Sequence, residues 1–536
     1  MNKKKLFVMM LVATMSITTL LAGCGKKAND ADAGKTNESA KADDKVNATG
    51  LPIVDPGSYT FSLFVDDSSE TGDYAMMPEY EKQTGVKVDV QHFPYEIAKE
   101  KLSLALSSGD YADVIGGWTL ADTDILKYGV GMGTFIPLES YFEKYAPNIQ
   151  KILEIKGVRE TMTAPDGHIY SIPYVLGAPE IDFSPYINTK WLKNLGLEMP
   201  KTTEEFRTVL KAFKEKDANG NGNPNDEIPF SFDPNNKHIN YLMGWFGVSM
   251  DDLGFTMKDG KLTFAANTNE FKNGIKYLNS LYKEGLLDQE MFTQDLSQWK
   301  AKGAKDLYGV SMAYGSGDFL PYEAGATPNF EPLPVLSSPE CSTPNYLRNT
   351  YGTTVLKNQV VVTDNAKNPA AIVRWWDNLF TLENSLQANW GPVGKKLVKE
   401  GNGYRAVDAS KTLTEEEQKK YDWANLFPQS LPKYIPSDFK VIEDNPAYDE
   451  KKPLAKAYQQ YLTKDIIPSY WASAEDAGKI SDLQTAIKDY IAQKTAEWIS
   501  GQADIDKEWD AYLAQLEKLK LQDYVGMRQK ALEKTK

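Results

Sequence analysis

The sequence predicts an α/β fold that is divided into more than one lobe. Residues 59–65, 86–90 and 113–115 have the pattern of strands, and helical spacing occurs between them at 76–83 and 97–106. Strands that alternate with helices in this order are typical of a parallel sheet. The chain has 536 residues, more than one ordinary hydrophobic core accommodates. We therefore expect at least two lobes, with the first beginning near residue 55.

Acidic and aromatic residues follow the first strands. Asp66 and Asp67 come after the first strand, and Trp118 follows the third. Ligands of open parallel sheets bind beyond the carboxyl ends of the strands. We therefore expect these three side chains near a ligand, although each could also be a turn or core residue.

Later segments continue the same element types. A capping box at Thr202 and Glu205 starts a helix, and a strand at 308–313 leads into Tyr314. The further predicted elements are a helix at 269–284, a strand at 358–362, a helix at 369–383 and tail helices at 480–491 and 505–519.

The N-terminus has the form of a bacterial lipoprotein signal. A basic region at 3–5 and an apolar region at 6–21 precede the run Leu21-Ala-Gly-Cys24. This run resembles a lipobox, in which Cys24 becomes the lipid-modified first residue of the mature protein. A transmembrane anchor is the alternative, but the apolar run is short for one. We predict a signal peptide at 1–23 and an extracytoplasmic protein anchored to the cell membrane through Cys24.

Residues 24–54 are predicted to form a disordered tether. Between Gly25 and Gly50 there is no aromatic residue, Leu, Ile or Met, so this stretch cannot bury a core. The chain has only one other cysteine, Cys341, and we expect no disulfide within the mature body.

Composition and motifs exclude several classes of function. The net charge of −14 argues against nucleic acid as a partner. Three scattered histidines and Cys341 do not form a zinc or iron site. Phosphate-binding G-x-x-x-x-G-K-[ST] and nucleophile G-x-S-x-G motifs do not occur. A glycoside hydrolase that uses two of the many carboxylates is the enzyme alternative.

The stretch 217–227 has the composition of a calcium-binding loop. Oxygen-bearing side chains occur at every second position from Asp217 to Asn225, and an acidic pair closes the run. Calcium takes roughly six to eight oxygen ligands, and Gly222 stands where an EF-hand loop needs its glycine turn. The twelfth position is Ile228 instead of Glu, so the closing carboxylate comes early. We predict a structural Ca²⁺ ion here, with a metal-free polar turn as the alternative.

The abundance of aromatic residues favours a saccharide as ligand. The chain contains 11 Trp and 29 Tyr. Sugar rings rest their C–H faces on such side chains, while their hydroxyl groups need short polar partners. The candidate ligand contacts are Asp66, Asp67, Trp118, Glu180, Asp182, Trp245, Tyr314 and Trp390. Each could instead pack in a core or lie in a solvated turn.

Several runs resemble bacterial extracellular solute-binding proteins of family 1. They include DGHIYSIP at 166–173 and INTKWLKNLG at 187–196, with further similarity at 102–115, 200–206, 217–229, 374–377, 389–391 and 498–516. The similarity is greatest to the branch of alginate-oligosaccharide-binding proteins and LipO-type lipoproteins. It implies a two-lobed, periplasmic-binding-protein-like fold with a ligand cleft between the lobes. It also implies an oligosaccharide ligand and delivery to the permease subunits of an ABC importer.

The resemblance also implies a ligand set for the calcium loop. Its members would be Asp217, Asn219, Asn221, Asp226 and Glu227, with a carbonyl near Asn223. This chain has one extra residue before the acidic pair, which leaves the roles of Asn223 and Asn225 open.

The lobes are assigned from the expected crossings of the chain. We expect crossings near 174–182, near 345–355 and after Trp390. The N-terminal lobe then contains 55–178 and 350–400, and the C-terminal lobe contains 179–349 and 401–536 with the calcium loop. We expect the protein to be a monomer.

Two other binding functions fit parts of the sequence. A peptide-binding lipoprotein would share the tether and lobes, but groups that hold peptide termini are not evident. A calcium-dependent adhesin would use the same loop, but one loop does not make a repeat array. Sugar capture is the interpretation that the sequence favours.

Overall fold

A computed structural model describes residues 45–67, 69, 71–175, 181–234, 237–321, 329–348, 355–436, 439–444 and 451–534. The strands, numbered in chain order, are β1 (Tyr59–Asp67), β2 (Val86–Pro94), β3 (Val114–Gly116), β4 (Tyr174–Val175), β5 (Ser184–Asn188), β6 (Ile228–Phe232), β7 (Phe255–Lys258), β8 (Lys261–Phe264), β9 (Tyr308–Ala313), β10 (Phe330–Pro332), β11 (Val355–Leu356), β12 (Val360–Val362), β13 (Leu397–Glu400), β14 (Gly403–Ala406) and β15 (Ile442–Glu443).

The helices are numbered in the same way. They are α1 (Met77–Thr84), α2 (Tyr95–Ser108), α3 (Asp122–Asp124), α4 (Glu139–Tyr145), α5 (Pro147–Leu153), α6 (Val158–Met162), α7 (Thr189–Leu195), α8 (Thr203–Glu215), α9 (Ile239–Leu242), α10 (Asn269–Lys283), α11 (Leu296–Gly303), α12 (Pro369–Leu379), α13 (Leu382–Trp390), α14 (Ala409–Thr412), α15 (Glu415–Lys420), α16 (Trp423–Leu426), α17 (Lys451–Tyr458), α18 (Ala474–Ser500), α19 (Ile505–Lys518) and α20 (Leu521–Glu533).

The N-terminal lobe is built on a four-stranded sheet of order β12-β3-β1-β2. Strand β1 is parallel to both β2 and β3, and β12 is antiparallel to β3. Phe61, Leu63 and Val65 of β1 pack in one core, while Phe64 packs in another on the opposite face. Helices cover both faces, as a parallel sheet requires. The α/β class and the parallel sheet expected from residues 59–118 are confirmed.

The C-terminal lobe is built on a second four-stranded sheet, of order β10-β5-β9-β6. Strand β6 is parallel to β9, whereas β5 is antiparallel to β9. One large core surrounds this sheet and includes the tail residues Trp498, Trp509 and Tyr512. The tail helices therefore stabilise the C-terminal lobe.

The chain passes between the two cores within the first two expected crossings. The N-terminal core ends at Ile172 and resumes at Val355, while the C-terminal core runs from Ile181 to Tyr346. Strands β4 and β11, which begin and end these passages, pair with each other in antiparallel orientation. The two passages therefore lie side by side where the lobes join.

The third crossing lies after Trp390, but the C-terminal lobe does not resume at residue 401, so the assignment of residues 401–434 to that lobe is wrong. Leu426, Phe427 and Leu431 belong to the N-terminal core, and the C-terminal core resumes only at Leu454. Residues 401–434 therefore pack on the N-terminal lobe. Leu426 ends the four-residue helix α16, and Phe427 and Leu431 follow it in irregular chain, so no periodic pattern indicates which core they join.

The end of the expected tether is ordered and packed on the N-terminal lobe. Ile53 and Val54 are 0% and 3% exposed, and their N–H groups donate to Thr84 O. The Arg374 guanidinium donates to the carbonyls of Asn47 and Gly50. The tether boundary at 54 is therefore too late. Composition did not reveal this, because the two apolar residues Ile53 and Val54 hardly alter the composition of a polar stretch. Residues 24–44 and the expected signal peptide lie outside the described residues.

Part of the tail also contacts the N-terminal lobe. Trp471 Nε1 donates to Thr161 O at 2.9 Å, and Lys357 Nζ donates to Tyr470 O at 2.5 Å. The same ammonium group lies 3.9 Å from the centre of the Trp471 ring. This junction, beside β11, holds the lobes together at one side. Of the helices described, none is both long and apolar enough to cross a bilayer.

Candidate functional site

The carboxyl ends of the strands in both lobes carry the candidate residues. In the N-terminal lobe, Asp66 and Asp67 end β1, and Trp118 follows β3. The Trp118 ring lies 6.3 Å from the ring of Tyr174 in β4, which places it beside the first crossing. Tyr314 follows β9 in the C-terminal lobe, and Asp182 lies between the first crossing and β5. Both groups of residues therefore flank the junction of the lobes.

Asp66 shapes the loop that presents Trp118. Its Oδ1 accepts from Trp118 N at 2.7 Å, and its Oδ2 accepts from Thr119 N at 2.8 Å and from the Thr119 hydroxyl. Gly117 has a φ of +126°, and a Cβ there would lie 2.2 Å from Asp66 Oδ1. The Asp66 side chain is fully buried, and burial raises its pKa to about 6 against the lowering effect of the two backbone donors. Its geometry is that of a positioning residue.

Asp67 is also committed to contacts within the lobe. Its carboxylate accepts from Ser69 N at 2.8 Å and from the Tyr74 hydroxyl at 2.8 Å, and it lies 3.0 Å from His92 Nε2. The side chain is almost completely buried. These contacts occupy both carboxylate oxygens and fix the end of β1 to β2.

Two aromatic rings are exposed at the strand ends. Trp118 is 45% exposed and Tyr314 is 41% exposed, although most large apolar side chains around them are buried. Rings with this exposure can stack on the C–H face of a sugar. One belongs to each lobe, so a ligand held between the lobes could contact both.

A lysine supports the Tyr314 ring. Lys451 Nζ lies 3.7 Å from the ring centre and donates to Asp182 O at 2.5 Å and to Tyr314 O. Burial raises the pKa of Asp182 to about 6, opposed by the charge of Lys451. Because Lys451 begins α17 after the third crossing, it ties three separate segments together beside Tyr314.

The structure does not place every candidate at these strand ends. Trp245 is fully buried, with its ring 5.8 Å from that of Phe206, so its assignment as a ligand contact is wrong. The turn that contains Trp245 follows α9 and directs the ring into the core. Trp390 ends α13 half-buried, and other residues of that helix contact α1 and β14. Glu180 lies outside the described residues.

Other residues near the site were not predicted from the sequence. Tyr95, which follows β2, could have been found by the same argument as Trp118. Phe183 and His238 stack with ring centres 3.5 Å apart, and Phe183 also lies 5.8 Å from Tyr314. Burial lowers the pKa of Lys433 to about 8, and the charge of Asp67 opposes this effect. No local sequence pattern marks Phe183, His238 or Lys433.

The loop at 217–227 folds back on itself. Asp217 accepts from the N–H groups of Gly220, Asn221 and Gly222 at distances between 2.9 and 3.0 Å. Both glycines have positive φ, at +78° and +90°, which favours glycine. The Asp226 carboxylate lies within 3.2 Å of both the Asn219 and the Asn221 side-chain amide nitrogens. These contacts bring the two ends of the loop together.

One carboxylate oxygen of this loop is left without a partner in the described part of the chain. Glu227 Oε1 accepts from Ala218 N at 2.8 Å, but Oε2 is buried and finds no partner among the described residues. An unpaired buried carboxylate oxygen is costly, and burial raises the pKa of this side chain. No cluster of three or more His, Cys, Asp or Glu suited to a metal occurs in the described ranges. A cation would therefore depend on amide and carbonyl oxygens as well, as calcium does.

Comparison with known proteins identifies close relatives of this arrangement. Residues 66–384 match the family model described as bacterial extracellular solute-binding protein. The fructooligosaccharide ABC transporter substrate-binding protein FusA of Streptococcus pneumoniae is 31% identical over 550 residues, which cover 98% of each chain. The lipoprotein LipO of Bacillus subtilis is 28% identical over 325 residues, which cover 59% of this chain and 57% of LipO.

Solved structures of FusA share the fold. Its EF-hand mutant in complex with fructo-nystose and its complex with kestose each match with a TM-score of 0.77 and 31% identity. Each match covers 89% of this chain and 99% of the FusA chain. The architecture of two lobes with a cleft between them is therefore that of a known group of structures.

Proposed function

Because the chain belongs to the bacterial extracellular solute-binding proteins, we propose that it captures an oligosaccharide between its lobes and delivers it to an ABC importer. The observation that carries this proposal is the pair of exposed rings, Trp118 and Tyr314, one on each side of the lobe junction. Members of this family bind and deliver solutes, and the chain is not an enzyme. The hydrolase alternative is therefore discarded.

The proposed mechanism is closure of the lobes around the sugar. Trp118 and Tyr314 supply stacking faces, and Asp66 and Lys451 hold these rings in position. A sugar that contacts both lobes stabilises the closed state only by its additional affinity for that state. The junction at Lys357 and Trp471 would act as the side about which the lobes move. The closed state then presents both lobes to the permease subunits.

The first ligand class to test is the fructo-oligosaccharides. The alignment with FusA, a fructooligosaccharide-binding protein, covers 98% of both chains. A thermal-shift titration with kestose and nystose, compared with uronic oligosaccharides of similar length, tests the proposal. A ligand at about 100 times its Kd should stabilise the folded protein by about 2.7 kcal/mol. No shift with any of these sugars would contradict the proposed ligand class.

We further propose that the loop at 217–227 holds a structural Ca²⁺ ion. The unpaired Glu227 Oε2 supports this proposal, as does the similarity to FusA, of which an EF-hand mutant has been solved. The Glu227→Gln variant distinguishes a loop that binds calcium from a loop without a metal ion. Without a bound cation the substitution removes a buried unpaired charge and should not destabilise the protein, whereas with calcium it removes a ligand and should lower Tm. An unchanged or higher Tm in excess calcium would contradict the proposal.

Anchoring through a lipid on Cys24 completes the proposed function. The N-terminal sequence supports it, and residues 45–54 lie against the N-terminal lobe at the amino-terminal end of β1. The tether would therefore leave this lobe at the amino-terminal ends of the strands, opposite the ligand site. The ordered segment leaves residues 25–44 as the part of the expected tether that can extend.

A further inference from the structure

A pocket in the C-terminal lobe lies two ring contacts away from Tyr314, the exposed ring of the proposed ligand site. It has a volume of about 340 Å³ and lies between the segment 237–254 and one face of α18. Lys488, Ile491, Ala492, Thr495 and Ala496 form that face, at the spacing of successive turns of one helix side. A pocket of this volume is at the lower end of the range for small-molecule sites.

Aromatic contacts connect the pocket to the exposed ring of Tyr314. The Phe183 ring lies 5.8 Å from Tyr314 in edge-to-face geometry, and the His238 ring stacks on Phe183 at 3.5 Å and 17°. His238 also forms part of the pocket wall. The pocket therefore lies close enough to Tyr314 for a short chain of sugar rings to span the separation.

His238 is held in an unusual state at this position. Its φ is +49°, in the left-handed region that few residues other than glycine adopt. The ring is only 6% exposed, and Nδ1 has no partner among the described residues. Burial lowers the pKa of His238 to about 3, so the ring is neutral and adds no charge to the pocket. Strain of this kind persists where the surrounding contacts fix the residue, and it is common at ligand sites.

The remaining walls combine apolar and polar groups. Leu253, Phe292 and Ile491 offer apolar surface, and Lys237 Nζ lies 5.8 Å from the centre of the Phe292 ring. Asn240 and Thr495 add an amide and a hydroxyl group. A sugar ring needs this combination, with apolar contact for its C–H face and a few polar groups for its hydroxyls.

We propose that this pocket is an end subsite, which receives the terminal ring of a bound oligosaccharide and thereby sets the preferred length of the ligand. This inference rests on the proposed function and extends it to a pocket whose lining includes none of the predicted sugar contacts. A free apolar molecule is the competing occupant, but it would gain no binding energy from contact with Tyr314.

The test fills the pocket and compares sugars of different length. Ala492→Trp places a large ring on the pocket face of α18, whereas Ala486→Trp adds the same ring to an exposed position of the helix outside the pocket. Thr495→Phe is a second filling variant, in case Ala492→Trp does not fold. The probes are kestose and nystose, which differ by one fructosyl unit, and the affinities are measured by titration calorimetry.

Wild type should bind nystose more tightly than kestose. Filling the pocket should remove the contacts of one ring and weaken nystose binding about tenfold, with little change for kestose. Ala486→Trp should bind both sugars as wild type does. Equal weakening for both sugars, or none for either, in a folded filling variant would overturn the end subsite while leaving sugar capture intact. Failure of wild type to bind either sugar would overturn the fructo-oligosaccharide proposal and this inference with it.

Discussion

Replacement of Asp66 by Asn should change the pH dependence of stability in a defined direction. The pKa of Asp66 rises from 3.8 in the unfolded chain to about 6 in the folded protein, because the side chain is buried. Between these values the folded state binds more protons than the unfolded state. The contribution of Asp66 to the free energy of unfolding therefore falls as pH rises. A shift of this size corresponds to about 3 kcal/mol. Part of this loss has already occurred at pH 4, so wild type should lose about 2.4 kcal/mol relative to Asp66→Asn between pH 4 and pH 7.

Urea unfolding of both proteins at pH 4, 5.5 and 7, followed by tryptophan fluorescence, measures this difference. Asp89→Asn is the matched control, because Asp89 is exposed on the neighbouring strand β2 and should follow wild type. The amide can satisfy only one of the two backbone donors, at Trp118 and Thr119, so Asp66→Asn should also weaken sugar binding. A difference between wild type and Asp66→Asn that is constant with pH, or that changes in the opposite direction, would refute this account of Asp66.

Three further predictions have defined outcomes. Cys24→Ser should move the protein from the membrane to the soluble fraction, and an unchanged membrane fraction would exclude lipidation at this residue. Chelation of calcium should lower the Tm of wild type but not of Asp217→Ala, whereas equal responses of the two proteins would show that Asp217 holds no stabilising ion. Trp118→Ala should weaken sugar binding with little loss of stability, while Trp245→Ala should cost about 3–5 kcal/mol of stability because Trp245 is fully buried. The reverse result for either tryptophan would contradict its position in the structure.

Local patterns were sufficient to predict the frame of each lobe. The parallel strands β1, β2 and β3, the N-cap at Thr202 and the exposed ring of Trp118 all follow from local sequence patterns or from position after a strand. Only half of the expected capping box forms, because Glu205 accepts from Lys201 N instead of Thr202 N. These features depend on interactions within a few residues or within one βαβ unit. The expected bounds therefore agree with the structure to within a few residues in most cases.

Features that depend on distant segments could not be predicted in this way. Leu431 packs on Gly116 in the N-terminal lobe, although more than three hundred residues separate them. Trp245 and Trp118 have equally plausible sequence surroundings, and only the tertiary packing decides that the first is buried and the second exposed. Lys451 reaches Tyr314 because the third crossing brings α17 beside β9. Contacts of this kind are determined by the path of the whole chain.

Lobe closure on an oligosaccharide is the central claim, and a scattering titration tests it most directly. The mature protein would be titrated with nystose while its radius of gyration is measured by small-angle X-ray scattering. The account predicts a saturable decrease in the radius, which Trp118→Ala and Tyr314→Ala shift to higher sugar concentrations. A radius of gyration that stays constant while calorimetry shows the sugar to be bound would contradict closure of the two lobes around the ligand.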